Sequence, residues 1–166
     1  MIRRRTLLAA GLPLTLAACG FKLREAPKFS FTSIYVAMPE SSPLGNELRR
    51  NLTGTGQLEV ITDAARVAQA QVILEPLLDQ REKVVVGLTS SGQVREFQLR
   101  LRFRFRLRTP QGAELITPVE ILQQRDFSFN ESAVLAKEAE EQLLYRNMQT
   151  DIVQQIMRRL AAVKEA

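Results

Sequence analysis

The stretch Val94-Arg95-Glu96-Phe97-Gln98-Leu99-Arg100-Leu101-Arg102-Phe103-Arg104-Phe105-Arg106-Leu107-Arg108 carries the clearest pattern in the chain. Successive side chains of a β-strand point to opposite faces. Phe97, Leu99, Leu101, Phe103, Phe105 and Leu107 then share one face, and Glu96, Gln98, Arg100, Arg102, Arg104, Arg106 and Arg108 share the other. A strand this long with one apolar face must bury that face against other elements.

Turn signals bound the strand on both sides. Thr89-Ser90-Ser91-Gly92 precedes it, and Thr109-Pro110-Gln111-Gly112 follows with Pro at its second position. Residues 114–129 return as a strand, irregular around Pro118. Upstream, residues 71–78 and 83–88 form one extended segment, in which Pro76 marks an edge or a bulge. Leu58-Glu59-Val60-Ile61 is a short strand, and the alanine-rich residues 63–70 suit one or two helical turns. Residues 31–38, with Ile34, Tyr35 and Val36, alternate as a strand.

Ser42-Pro43 opens a helix, Ser as N-cap and Pro at the first helical position. Leu44, Leu48 and Leu52 give it one apolar stripe, and Gly54 and Gly56 stop it. Residues 135–163 form a long helix lined by Leu144, Met148, Ile152, Ile156, Leu160 and Val163. The order is strand, helix, strand, a meander of long strands, then a long helix. The economical packing is α+β, with two amphipathic helices covering one face of a mostly antiparallel sheet. Residues 31–166 read as a single domain, without repeats or low-complexity tracts.

Arg100, Arg102, Arg104, Arg106 and Arg108 stand about 7 Å apart along the polar face, a row of roughly 27 Å. Their mutual repulsion, softened by salt, leaves two readings. The row is a solvated strand face, or it docks phosphates or carboxylates, which guanidinium binds in bidentate fashion. Nucleic acid is not an expected partner, because few aromatic residues share that face.

Composition removes several chemistries. The chain has no His and one Cys. A Ser-His-Asp triad, a Cys-His nucleophile and His-ligated metal are therefore excluded. Glu140 and Glu141 are adjacent carboxylates, but neighbouring helical residues do not share a face, so a solvated surface is expected. Gly54-Thr55-Gly56 lacks the lysine of a phosphate-binding loop. No cofactor or metal site is expected, and no enzymatic activity.

The amino terminus is of a different kind. Met1-Ile2-Arg3-Arg4-Arg5 is basic, residues 7–18 are uncharged and end in small residues, and the run is too short to span a bilayer. That is the order of a removable export signal. Leu16-Ala17-Ala18-Cys19 resembles the lipobox of bacterial lipoproteins. The resemblance implies diacylglycerol on the Cys19 thiol, cleavage after residue 18 and a third acyl chain on the new amine. A lone Cys in an exported chain suits that role, and several acyl chains anchor a protein without a membrane-spanning helix. Gly20, where Asp often signals inner-membrane retention, implies lipid anchoring on the periplasmic side of the outer membrane. Arg3-Arg4-Arg5-Thr6-Leu7-Leu8 suits a twin-arginine signal and an ordinary secretory start equally. Of 166 residues, removal of 18 leaves 148; it also takes 3 of 23 basic residues and none of 18 acidic ones, leaving 20 against 18, or +2. Residues 19–30, with Pro27, read as a lipidated tether.

Taken together the chain resembles the LPS-assembly lipoprotein family LptE. The resemblance runs through Cys19-Gly20-Phe21-Lys22-Leu23-Arg24, residues 44–52, and Ser91-Gly92-Gln93 leading to Glu96-Phe97-Gln98-Leu99. It closes with Val134-Leu135-Ala136-Lys137, Glu140, Glu141, Leu144, Met148 and the last helix. It implies two helices on a four-stranded sheet. It further implies a non-enzymatic plug that sits in the outer-membrane LPS translocon barrel (LptD-like), helps that barrel assemble and binds lipopolysaccharide during delivery to the outer leaflet. Lys137 matches the family's basic residue on the final helix. A second basic position falls on Ser90, a departure for which Arg95 is the candidate substitute. Within a polar barrel lumen, the arginine row would face acidic wall groups. The alternative is a stand-alone envelope lipoprotein that binds anionic polymers through that row.

Overall fold

The alternation of residues 94–108 survives intact in the computed structural model, which describes residues 27–164. Leu99, Leu101, Phe103, Phe105 and Leu107 are at most 1% exposed, while the arginines between them remain partly or fully open. In chain order the elements are β1 (Ser33–Val36), α1 (Pro43–Gly54), β2 (Glu59–Ile61), a 3-10 segment (Ala64–Gln69), β3 (Val72–Leu88), β4 (Val94–Arg108), β5 (Glu114–Ser128), a short 3-10 turn (Glu131–Ala133) and α2 (Val134–Ala161).

The sheet order is β2-β1-β3-β4-β5. β1 pairs in parallel with β2 and with the first residues of β3, and the β3-β4-β5 meander is antiparallel. The sheet therefore has five strands and is mixed, not four-stranded and mostly antiparallel. The physical reason lies in the connections. α1 carries the chain back to the end where β1 began, so β2 must run parallel to β1, and the 3-10 segment repeats the return before β3. The extra strand is β2, only three residues long and paired through Ser33↔Glu59 to Tyr35↔Ile61. Both prolines fall at irregularities: the β3–β4 register shifts between Pro76 and Leu78, and the β4–β5 register shifts where Pro118 lies, between Val119 and Ile116. Proline lacks the ladder donor, which confines it to such places.

The two meander turns share one construction. Thr89 and Thr109 each donate a backbone N–H across the turn, to Gln93 O and Ala113 O. Each threonine hydroxyl accepts the N–H of the same partner. Gly92 and Gly112, at φ 83° and 98°, supply the left-handed residue both turns need.

α1 starts as its sequence predicts, Ser42 Oγ accepting the Gly45 N–H at 3.0 Å with Pro43 behind it. Gly54 is still helical; the chain leaves at Thr55 and turns at Gly56, φ 66°. Within residues 63–70, Ala64–Gln69 form the 3-10 segment, capped by Asp63. In α2, Met148, Ile152, Ile156 and Leu160 are fully buried, with Leu144, and Val163 just past the helix end, at the margin of the core. α2 lies over β4 and β5 and along α1. Glu47 of α1 accepts hydrogen bonds from Gln149 Nε2 at 2.6 Å and Thr150 Oγ1 at 2.7 Å, and Gln149 Oε1 accepts one from Arg81 at 3.2 Å. That chain of contacts ties both helices to β3 and satisfies Gln149, only 7% exposed.

Candidate functional site

The polar face of β4 is open, and the sheet register decides what each arginine meets. Arg106 and Arg108 converge on Glu75 of β3, at 2.7 and 2.5 Å, and Arg106 also reaches Glu114 of β5 at 3.4 Å. The hydrogen bond from Arg108, with that from Arg106, holds the Glu75 carboxyl below its ordinary range. Arg100 bonds Gln98 through Nε at 2.8 Å and stands 3.9 Å from Glu82. Arg102 lies between Gln80 and Leu122, and Arg104 between Leu78 and Glu120. Neither has an ion-pair partner among the described residues, and Arg102 Nε is buried without a hydrogen bond. The row is thus graded, neutralised at its Arg106–Arg108 end and bare at its centre. The acids opposite it were not among the candidate residues, because cross-strand partners depend on a register that alternation alone does not reveal.

A second cluster stands on the helix side, at the β3–β4 turn end of the meander. Phe97, Phe127 and Phe129 form an aromatic group, Phe97 stacked with Phe127 at 6.4 Å and edge-on to Phe129 at 5.5 Å. Lys137 sits with its ammonium 5.3 Å from the Phe127 centroid, donating to Ser128 Oγ at 3.2 Å and paired with Glu140 at 2.9 Å. Lys83 of β3, which sequence reading did not single out, lies over the same rings, 4.3 Å from Phe97 and 5.7 Å from Phe127. It pairs with Glu141 at 2.6 Å. The only signal for Lys83 is its register opposite Leu99, which turns it toward the helix. Arg95, two residues before Phe97, shares that strand face at the same end, and its backbone carbonyl accepts the Phe129 N–H. Glu140 and Glu141 serve separate lysines, as adjacent helical positions require.

Beside this cluster a hollow of about 540 Å³ is bounded by Lys83, Leu135 and Glu141. Leu135 is 82% exposed, and Val85, paired with Phe97 in the sheet, 46%. Cations over aromatic rings with bare aliphatic groups around them make an amphipathic surface. At the other end, Pro27, Arg50, Thr55, Met157 and Arg158 line a groove of about 830 Å³ where the described chain enters. Cys19 and the rest of the stretch expected to be signal and anchor, up to residue 26, lie outside the described residues. Among the described residues, no cluster of acids suited to a metal occurs, and no helix is long and apolar enough to cross a membrane.

Comparison with known proteins bears on what this arrangement is for. The LPS-assembly lipoprotein LptE of Pectobacterium atrosepticum is 27% identical over 98% of this chain and 88% of its own. That of Yersinia pestis is 30% identical over 97% of this chain and 77% of its own. Among solved structures, lipoprotein B of Nitrosomonas europaea is 35% identical with a TM-score of 0.73, covering 86% of this chain and 91% of that one. A minor lipoprotein of Acinetobacter baumannii, 22% identical over 81% of this chain and 94% of that one, shares the fold at a TM-score of 0.64. The lipopolysaccharide-assembly family model LptE matches residues 31–160, and the chain belongs to that family.

Proposed function

We propose that this protein is an outer-membrane lipoprotein that seats in the LPS translocon barrel (an LptD-like partner), helps that barrel assemble and binds lipopolysaccharide on its way to the outer leaflet. Its role is binding and structural. The observation that carries the lipid-binding part is the tip: Lys137 and Lys83 over Phe127, with Leu135, 82% exposed, on the hollow beside Lys83. Lipopolysaccharide combines phosphates with acyl chains, and a cation amid bare apolar groups matches both.

Three further features support the barrel part. Lys137 and Arg158 are 21 positions apart on α2, which places the tip about 30 Å from the chain-entry groove at 1.5 Å per helical residue. That distance is comparable to the hydrocarbon thickness of a bilayer, about 30 Å. A chain anchored through diacylglycerol and an N-acyl group on Cys19 would enter at one end and present its tip at the other. The unpaired Arg102 and Arg104 supply charge for acidic groups of a polar lumen wall. The alternative, an envelope lipoprotein binding anionic polymers, uses the same arginines.

Purification from outer membranes tests the reading. Tagged protein should bring down a large barrel protein, and its mass should show an acylated Cys19 at the amino terminus. Arg102→Gln with Arg104→Gln should weaken recovery of the barrel while the melting temperature stays near that of the wild type. A preparation free of any barrel, or one with an uncut amino terminus, refutes the account.

A further inference from the structure

We propose that Lys83 is the second cation of the lipid-binding tip, and that Glu140 and Glu141 hold the two ammoniums until the phosphates of a lipid A-type ligand displace them. This rests on the lipid-binding reading above and specifies its chemistry. Lys83 and Lys137 come from different elements, β3 and α2, yet both stand within 6 Å of one ring, that of Phe127 (5.7 and 5.3 Å). Two side chains of like charge converge on that ring because each brings its own carboxylate: Glu141 at 2.6 Å from Lys83, Glu140 at 2.9 Å from Lys137.

Those carboxylates are adjacent on α2 and point about 100° apart, so each approaches its lysine from its own side. Neither pair is deeply buried: side-chain exposure is 34% and 17% for Lys83 and Glu141, and 19% and 49% for Lys137 and Glu140. Ion pairs this open are weak and readily exchanged. A phosphate monoester carries more charge and more acceptor oxygens than a carboxylate, so it wins such an exchange. The rings beneath are not displaced and continue to favour the cations. Two ammoniums suit a ligand with two phosphates, and the exposed Leu135 and Val85 suit its acyl chains. Lipid A has that composition; a phospholipid with one phosphate occupies only half of the site.

The mechanism makes an unusual prediction: removing an acid strengthens binding of an acid. Mature protein is titrated with diphosphoryl lipid A in detergent at neutral pH, as wild type, Lys83→Gln, Lys137→Gln and Glu141→Gln, with thermal melts alongside. Lys83→Gln should bind roughly tenfold more weakly, the loss of about one charge-assisted contact. Glu141→Gln should bind several-fold more tightly, and the monophosphoryl lipid should lose most of the dependence on Lys83. An unchanged or weaker Glu141→Gln overturns the displacement, and it decides alone if Lys83→Gln fails to fold. An unchanged, folded Lys83→Gln overturns the two-cation site. If Lys137→Gln alone weakens binding, the broader lipid-binding reading stands and only this inference falls. If neither lysine matters, both fall. Equal affinity for phosphatidylglycerol micelles overturns the choice of lipid A.

Discussion

Glu75 is the residue that neutralises both arginines at the end of the row, with Glu114 a second partner of Arg106. It accepts from Arg106 and Arg108 at once, and its carboxyl is held below the ordinary value of 4.5, chiefly by the Arg108 hydrogen bond. A depressed folded-state value means the stabilisation is complete above the unfolded value and is lost as pH falls through the folded one. Glu75→Gln should therefore be less stable than wild type at neutral pH, and the gap should close on acidification below about 4.5, in urea unfolding at both conditions. A gap that persists in acid contradicts the ion-pair account. Asp79 works in the opposite sense, its carboxyl raised by burial, but it is common to both proteins and cancels in the comparison. At this scale the sequence exposes the arginines, because alternation alone places them on one face. It hides Glu75, Glu114 and Lys83, because their partners are fixed by cross-strand register and by the bulge beside Pro76.

At the scale of elements, α1 shows how close packing constrains a single position. A Cβ built on Gly45 would stand 2.9 Å from Met38 Cβ, nearer than such atoms approach. Ala has the better helix propensity by up to about 1 kcal/mol. Forcing the helix away from the core segment costs about 1–3 kcal/mol, so the packing term wins. Gly45→Ala should lower the urea midpoint by the equivalent of about 1 kcal/mol with the slope unchanged. Wild-type or higher stability contradicts the contact. Elements with strong local signals were legible: β4 by its alternation, α1 by Ser42-Pro43 and its leucines, and α2 by its four-residue stripe. Residues 58–61 also read as a strand. What the chain does not display locally is that β2 joins β1 in the same sheet, in parallel. Three residues carry too little pattern to announce a partner, and the four-strand count borrowed from family resemblance left the strand out. Gly54 reads as a stop, yet a helix tolerates glycine in its last turn, and the reversal comes at Gly56.

At the scale of the whole molecule, the fold separates two ends along α2. One end is where the described chain enters, Pro27 lying beside Arg50 and Arg158. The other holds Lys83, Lys137 and the phenylalanines. Between them lies the sheet with its open polar face. Lys137 was named from the family resemblance, whereas the joining of β3 and α2 at Phe127 is a product of the tertiary fold. The central claim is that the protein serves lipopolysaccharide delivery, and depletion in the living cell tests it most directly. When the protein is depleted, newly made lipopolysaccharide should fail to reach the cell surface and assembled barrel should fall with it. Surface lipopolysaccharide that stays at its normal level through depletion would contradict the account.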